Sequence, residues 1–201
     1  LFWNIGAEGQ LAMGGIAAAF VALFMEQYLP SFLVLPTMIT SAIIAGALWG
    51  LIPAALKATI GVNEILTTLM MNYIAILFVE YLYFGPWRDP DGFGFPGTAK
   101  FPETAWLPVF TGRVHIGIIF ALVGAILIWF ILNHPKRGYE IRLIGQNARA
   151  ARYTGVNIGR NILVMMLLSG GLAGLAGMAE VSGIAHRLYS GLTSGYGYTA
   201  I

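Results

Sequence analysis

Between Ser31 and Leu56 the chain runs for 26 residues without a charged side chain. A helix needs only about 20 apolar residues to cross the ~30 Å hydrocarbon core of a bilayer. Four further stretches approach that length: Gly9 to Met25, Val62 to Phe84 (interrupted only by Glu64 and Glu80), His115 to Asn133, and Asn161 to Gly183. Any one of them suits a buried helix of a water-soluble protein, but five in series do not. Of 201 residues, 58% are hydrophobic and 10% charged, against about 25% charged in a typical soluble domain. That leaves too little polar surface to cover a water-facing globule. The sequence therefore predicts an all-α, polytopic transmembrane helical bundle of about five spans, one domain over residues 1–201. Apolar ends at Leu1-Phe2-Trp3 and Tyr198-Thr199-Ala200-Ile201 lead us to expect a chain truncated on both sides. There is no cysteine, so disulfides, thiolate metal sites and Cys nucleophiles are excluded.

Charge orients the bundle. Of the 11 Lys and Arg, six lie between His134 and Arg160 (Lys136, Arg137, Arg142, Arg149, Arg152, Arg160), opposed there only by Glu140. Basic loops stay on the cytoplasmic side, so residues 134–160 are expected to face the cytoplasm. Strict alternation then puts Lys57 inside, and Glu26 to Pro30 and the 85–113 loop outside. The outer loop, Gly85 to Arg113, carries five prolines (Pro86, Pro90, Pro96, Pro102, Pro108) among aromatics from Trp87 to Phe110. Proline removes donors and fixes φ, which excludes a long helix there. An aromatic flap at headgroup level and a docking surface for an external partner are compatible readings of it.

Small residues mark where helices approach. Gly46 and Gly50 form one GxxxG and Gly170 and Gly174 another. Helices in lipid associate through close backbone contact, and an internal packing face is favoured over a dimer interface.

Polar groups inside the apolar stretches are the functional candidates, because a carboxylate in the bilayer core costs about 2.5–3.5 kcal/mol on insertion scales. Glu8 and Gln10 sit in Asn4-Ile5-Gly6-Ala7-Glu8-Gly9-Gln10, which reads as a broken helix lining a cavity or as an interfacial segment. Asn63 and Glu64 open the third span, with Thr68 and Asn72 four and eight residues after Glu64 on one helix face. That polar stripe faces either a pathway or an interhelical hydrogen-bond site. Glu80 and Glu180 fall near the outer ends and are expected to be solvated. The histidines (His115, His134, His186) are far apart in sequence, so no metal site is expected, and no cofactor signature is present. The nucleotide-binding pattern GxxxxGK[ST] is absent, so any ATP chemistry belongs to another chain.

The basic loop contains a short helix candidate: Asn147 caps it, Ala148 to Thr154 form two turns, and Gly155 suits a left-handed stop. Ala150-Ala151-x-x-x-Gly155 resembles the coupling loop of ABC importers, Glu-Ala-Ala-x-x-x-Gly, with Arg149 in place of the Glu. This departure is shared with the branched-chain amino acid and ribose permease group. Asn4 to Gln10, Val62-Asn63-Glu64-Ile65-Leu66-Thr67-Thr68-Leu69-Met70-Met71-Asn72-Tyr73, Ile144-Gly145-Gln146-Asn147-Ala148 and Leu168 to Gly177 look like the nucleoside or simple-sugar permeases of that group, in the same order along the chain.

The resemblance implies a non-enzymatic permease subunit in the cell (inner) membrane of a prokaryote, importing a nucleoside or simple sugar. It implies as partners a second permease copy or homologue, a cytoplasmic ABC ATPase and an extracytoplasmic solute-binding lipoprotein, and no nucleic acid. Asn147, Arg149, Ala150, Ala151, Arg152 and Gly155 would then couple to the ATPase, and Glu8, Gln10, Asn63, Glu64, Thr68 and Asn72 would line the path. A branched-chain amino acid permease, a proton-coupled secondary transporter using Glu8 and Glu64, and a non-transporting membrane scaffold are the alternatives.

Overall fold

In hydrocarbon a backbone has no water to bond, so a spanning segment must satisfy its own N–H and C=O groups as a helix. A computed structural model of the chain describes residues 3–112, 114–133 and 136–199, with the backbone alone at Ala148. The loop bounds Arg113 and His134 drawn from the sequence lie outside the described residues, as do Leu1, Phe2, Ala200 and Ile201. In chain order the elements are α1 (Ala7–Phe20), α2 (Ser31–Ile60), α3 (Glu64–Phe84), a hairpin of β1 (Val109–Thr111) and β2 (Val114–His115), α4 (Gly117–Asn133), α5 (Lys136–Gln146), α6 (Ala148–Tyr153), α7 (Ile158–Glu180) and α8 (Tyr196–Thr199). The ends of α1 and α7 widen into π-helical turns over Val21–Met25 and Val181–Ala185.

Four spans, Ala7–Tyr28, Ser31–Ile60, Glu64–Phe84 and Ile158–Ala185, are long and apolar enough to cross a membrane. The number rises to five if α4 and α5, bent by 77° from one another, count as one. Local chemistry sets the boundaries. Asn63 caps α3 by accepting from the Ile65 N–H at 3.0 Å. Asn157 starts α7 three residues ahead of the apolar stretch by accepting from the Arg160 N–H at 2.9 Å. Gly61 ends α2 at φ 76°, a conformation that favours glycine. The α4 span opens at Gly117 rather than His115, because His115 pairs with Val109 in the hairpin and its Nδ1 accepts from the Gly117 N–H at 3.1 Å.

α1 is the central helix, buried from Glu8 to Ala19 apart from Met13 and Ala17. It runs parallel to α3, with Gly6 beside Thr68 and Gly9 beside Asn72, and parallel to α7, with Gly14 against Gly174. α2 packs antiparallel to α7: Gly46 meets the Gly170 carbonyl, Gly50 the Met166 carbonyl, and Gly174 the Ala42 carbonyl. A Cβ at Gly46, Gly170 or Gly174 would overlap backbone atoms of the opposite helix. Gly46, Gly50, Gly170 and Gly174 thus sit on one internal seam, where backbone approach supplies the dispersion contact that lipid cannot. α4 is peripheral, and Gly124, against Leu172, is its buried residue among those described.

The two ends differ. At one, Gly159 packs beside Ala58, and Lys57 and Glu64 pair at 2.7 Å; this is the basic end, carrying α5 and α6. The sequence reading gave residues 136–146 no helix of their own, yet they form α5. Hydropathy missed it because it is short and polar. Gly138 lets α5 fold tightly back onto the Ile131 and Leu132 carbonyls.

At the far end the Pro-rich loop folds onto the end of α7. The Thr98, Phe101 and Leu107 N–H groups donate to the Leu188, His186 and Ser182 carbonyls at 2.9, 2.8 and 3.1 Å. Phe101, Ala105 and Leu107 are buried, while Phe93 is 98% exposed. Trp106 stacks on His186 with centroids 4.2 Å apart.

Candidate functional site

A helix that begins inside a bilayer must find partners for its first N–H groups. α1 begins that way. Gly9 lies against Asn72, which is eight residues, about 12 Å along α3, inside the level of the Lys57–Glu64 pair. Asn4 to Gly6, just before α1, are not helical. A second break meets the first. After His186 (φ 53°) the chain loses helical form, passes Gly191 (φ 93°), Ser194 (φ 27°) and Gly195 (φ 83°), and resumes as α8 beside Glu8.

The polar groups of both breaks close on one another. Asn4 Nδ2 donates to Gln10 Oε1 at 3.0 Å and to Ser169 Oγ at 2.9 Å. Asn4 Oδ1 accepts from Gln10 Nε2 at 3.2 Å and from the Gly6 N–H at 3.0 Å. Asn72 Oδ1 accepts from the Gly9 N–H at 2.8 Å, and its Nδ2 donates to the Ile5 carbonyl at 2.7 Å and to the Tyr198 hydroxyl at 3.3 Å. Glu8 accepts from Gly195 N–H at 2.8 Å on Oε1 and from Gly197 N–H at 2.5 Å on Oε2. Glu8, Gln10, Thr68 and Asn72 are each at most 2% exposed. Such groups are tolerated at this depth only because they are bonded.

Of the six residues expected along a path, Glu8, Gln10 and Asn72 therefore belong to one buried node, and Thr68 lies beside it against Gly6. Thr68 bonds within its own helix, its hydroxyl donating to the Glu64 carbonyl at 2.7 Å. Asn63 and Glu64 stand apart at the basic end, Asn63 as the α3 cap and Glu64 in its ion pair. Five participants, Asn4, Ser169, Gly195, Gly197 and Tyr198, were not singled out from the sequence. Ser169 and Asn4 lay inside quoted motifs, and Gly195 and Gly197 carried a signal in Gly195-Tyr196-Gly197-Tyr198, a glycine repeat inside an apolar run.

The node borders a cavity of about 320 Å³ lined by Asn4, Asn161, Ser169, Ile141, Ile144 and Met166, among others. Its wall is tied to α5: Asn161 Nδ2 donates to Glu140 Oε2 at 3.1 Å and to the Asn157 carbonyl at 3.0 Å. A larger groove of about 1040 Å³ runs between α4 and α7, but its lining is apolar apart from His115, Asn133 and Glu180 near its ends, and it lacks the convergent polar groups of the node.

Beyond α5, Asn147 Oδ1 accepts from the Arg149 and Ala150 N–H groups at 3.0 and 3.1 Å. Gly155 stops α6 at φ 79° in open space, and Val156 N–H donates to the Ala151 carbonyl at 3.1 Å. Ala151 is buried, Ala150 partly so, and Arg149, Arg152 and Tyr153 are exposed. α6 thus presents a basic, rigidly capped surface outside the spans.

Two expectations from sequence distance change. Glu180 is part-buried and takes a hydrogen bond from Tyr189 rather than standing in solvent. His115 and His186 come within electrostatic reach of each other. Burial, with Lys100 and His115 nearby, holds the His186 imidazole below its ordinary pKa against the opposing Ser182 backbone bond. No cluster of three or more His, Asp or Glu able to hold a metal occurs among the described residues.

Known proteins resemble the chain over its length. The family model described as "Branched-chain amino acid transport system / permease component" matches residues 2–201. The guanosine ABC transporter permease protein NupP of Bacillus subtilis is 38% identical over 207 residues, covering 99% of this chain and 58% of its own length. The glucose ABC transporter permease protein TsgB13 of Haloferax volcanii is 36% identical over 211 residues, covering 99% and 55%. The nucleoside ABC transporter permease protein NupB of Lactococcus lactis is 29% identical over 197 residues, covering 94% and 54%. The chain thus spans somewhat over half the length of these relatives. No solved structure matches it.

Proposed function

From the premise that this chain belongs to the family of branched-chain amino acid transport system permease components, we propose that it is the membrane-spanning part of an ABC importer for a nucleoside or simple sugar. The observation that carries the reading is the buried polar node at the meeting of two helix breaks, in a chain whose relatives are named as guanosine, glucose and nucleoside permeases. Hydroxyl-rich and base-bearing solutes exchange hydrogen bonds with such groups. An apolar amino acid side chain has no use for them, which weighs against the branched-chain alternative.

In this proposal residues 134–160 face the cytoplasm of a prokaryotic cell and the 85–113 loop faces outward. An extracytoplasmic binding lipoprotein delivers solute at the outer loop. The permease pairs with a second copy or homologue, and a separate ABC ATPase grips α6 through Asn147, Arg149, Ala150, Ala151, Arg152 and Gly155. The transmission route is short: α6 follows α5, Glu140 of α5 holds Asn161 of α7, and α5 and α7 wall the cavity next to Asn4 and Ser169. A shift of α6 is then felt at the node, which biases the bundle between outward- and inward-open forms. Asn4, Ser169 and Tyr198 are the proposed path-facing rim, with Gln10 held behind Asn4. Glu8, Thr68 and Asn72 shape it from behind, and Asn63 and Glu64 border its inner exit.

Reconstitution of the full-length permease with its ATPase and binding protein in proteoliposomes tests the reading. Nucleoside or sugar uptake should require ATP and be indifferent to a proton gradient. Uptake driven by the proton gradient without ATP would instead favour a secondary transporter working through Glu8 and Glu64.

A further inference from the structure

The segment 187–199 is a membrane element in its own right. It leaves the far end of α7 at His186 and runs back into the bundle without regular structure. Leu188 and Leu192 are 0% and 2% exposed, and Leu192 contacts Gly15 of α1. By Gly197 the segment has reached Glu8, seven residues or about 10 Å along α1 from Gly15. Its turns lie in left-handed backbone at Gly191, Ser194 and Gly195, so up to α8 it is neither a helix nor a strand, at a depth where unpaired backbone is costly.

The Glu8 carboxylate closes it, beside the Asn72–Tyr198 bond. Each oxygen of Glu8 takes one backbone N–H, from Gly195 and from Gly197. The fit is two-sided: a Cβ at Gly197 would overlap the Glu8 backbone and Oε2. Among the described residues Glu8 has no ion-pair partner, the one salt bridge being Lys57–Glu64. Its hydrogen bonds among the described residues are those two, and it loses both if the segment moves. A carboxylate offers two acceptors to two donors, and such charge-assisted bonds are about twice as strong as neutral ones. Glutamine would present an NH₂ to one of the two N–H groups.

We infer that Glu8 is a latch: it positions segment 187–199 across the solute path, and the change between outward- and inward-open forms requires its bonds to Gly195 and Gly197 to break and re-form. The inference rests on the transport reading, but its test does not.

In the full-length protein, Leu192→Cys places a thiol on the part of the segment that is 2% exposed and packed against Gly15, so that alkylation requires the segment to move. Its alkylation by a membrane-impermeant maleimide is followed with Glu8 intact, as Glu8→Gln and as Gly197→Ala. Either substitution should speed labelling by at least about tenfold, the equivalent of about 1.4 kcal/mol, and the double variant should be no faster than the faster single. Glu8→Asp, which keeps the charge on a shorter arm, should fall between. Equal labelling in all five proteins, or strictly additive effects of the two substitutions, would overturn the latch. If Glu8→Gln does not fold, Gly197→Ala and Glu8→Asp carry the same comparison. Altered labelling in a protein that moves no nucleoside or sugar would sink the transport reading and leave the latch standing.

Discussion

Replacing Asn72 by leucine removes three hydrogen bonds and keeps the number and branching of the side-chain heavy atoms. The Gly9 N–H (2.8 Å) and the Ile5 carbonyl (2.7 Å) lose their partners at a fully buried site. Gly9 is in the first turn of α1, where no helical carbonyl is available to take its N–H. A buried backbone group left unpaired costs about 1–3 kcal/mol, so the two together come to roughly 2–6 kcal/mol by the same figure. Interhelical hydrogen bonds in lipid average only about 0.6 kcal/mol, because the unfolded state in the membrane also finds partners. That moderates the sum, and we expect the lower half of the range, about 2–4 kcal/mol. The Tyr198 bond is longer, 3.3 Å, and Tyr198→Phe should cost no more than about 0.5–1 kcal/mol. Equilibrium unfolding of the full-length protein in mixed micelles with rising SDS, followed by tryptophan fluorescence, measures both. Asn72→Leu within about 0.5 kcal/mol of the parent, or no more harmful than Tyr198→Phe, would refute the claim that this node is structurally obligatory.

Other expectations follow from the same contacts. Gly46→Val and Gly174→Val each force a side chain into opposing backbone, so neither protein should reach the membrane folded; normal yield and melting behaviour would contradict the seam. Gly155→Val meets open space but a left-handed φ of 79°, which costs a β-branched residue about 1–2 kcal/mol. The protein should fold and bind its ATPase while ATP hydrolysis becomes uncoupled from uptake, and unchanged coupling would remove α6 from the mechanism. Glu64→Gln breaks a partly exposed pair worth at most about 1 kcal/mol, so stability should barely change. Impaired uptake would put the carboxylate on the path, and parental kinetics would return it to a structural role. Burial holds His186 below its ordinary pKa, with Lys100 and His115 adding to the effect. The neutral ring is therefore the folded form, and its contribution is complete above about pH 6.5 and is lost as pH falls from there toward the folded value. Hydrogen exchange at Phe101 and Leu188, corrected for intrinsic rate, should speed up across that window, and His186→Phe should abolish the change.

The bundle was largely legible because lipid imposes a simple rule: a long apolar run has to be a helix, and five such runs stand out in this chain. Asn147 and Gly155 act locally, so their capping and stopping roles could be read from adjacent residues, whereas Asn63, expected along the path, caps α3. The node could not be read in that way. Asn4 and Ser169 are 165 positions apart and Glu8 and Gly197 are 189 apart, and no periodicity relates residues that meet only after folding. Glu64, Thr68 and Asn72 do share a face of α3, but their fates separate along it, since Asn72 reaches the α1 break while Glu64 ends beside Lys57 at the boundary. α5 escaped notice because hydropathy is blind to a polar interfacial helix. The far-end loop was legible only in what its prolines forbid; that Phe101, Ala105 and Leu107 would be buried under it depends on the end of α7, 80 residues onward in the chain.

Coupling to a cytoplasmic ATPase requires α6 to lie on the cytoplasmic face of the membrane. Single cysteines at Arg149 and Phe93, both exposed, report it directly in intact cells and in permeabilised ones. The impermeant reagent should reach Phe93→Cys in intact cells and Arg149→Cys only after permeabilisation. Labelling of Arg149→Cys from outside intact cells would put α6 beyond the reach of any cytoplasmic ATPase and contradict the proposal.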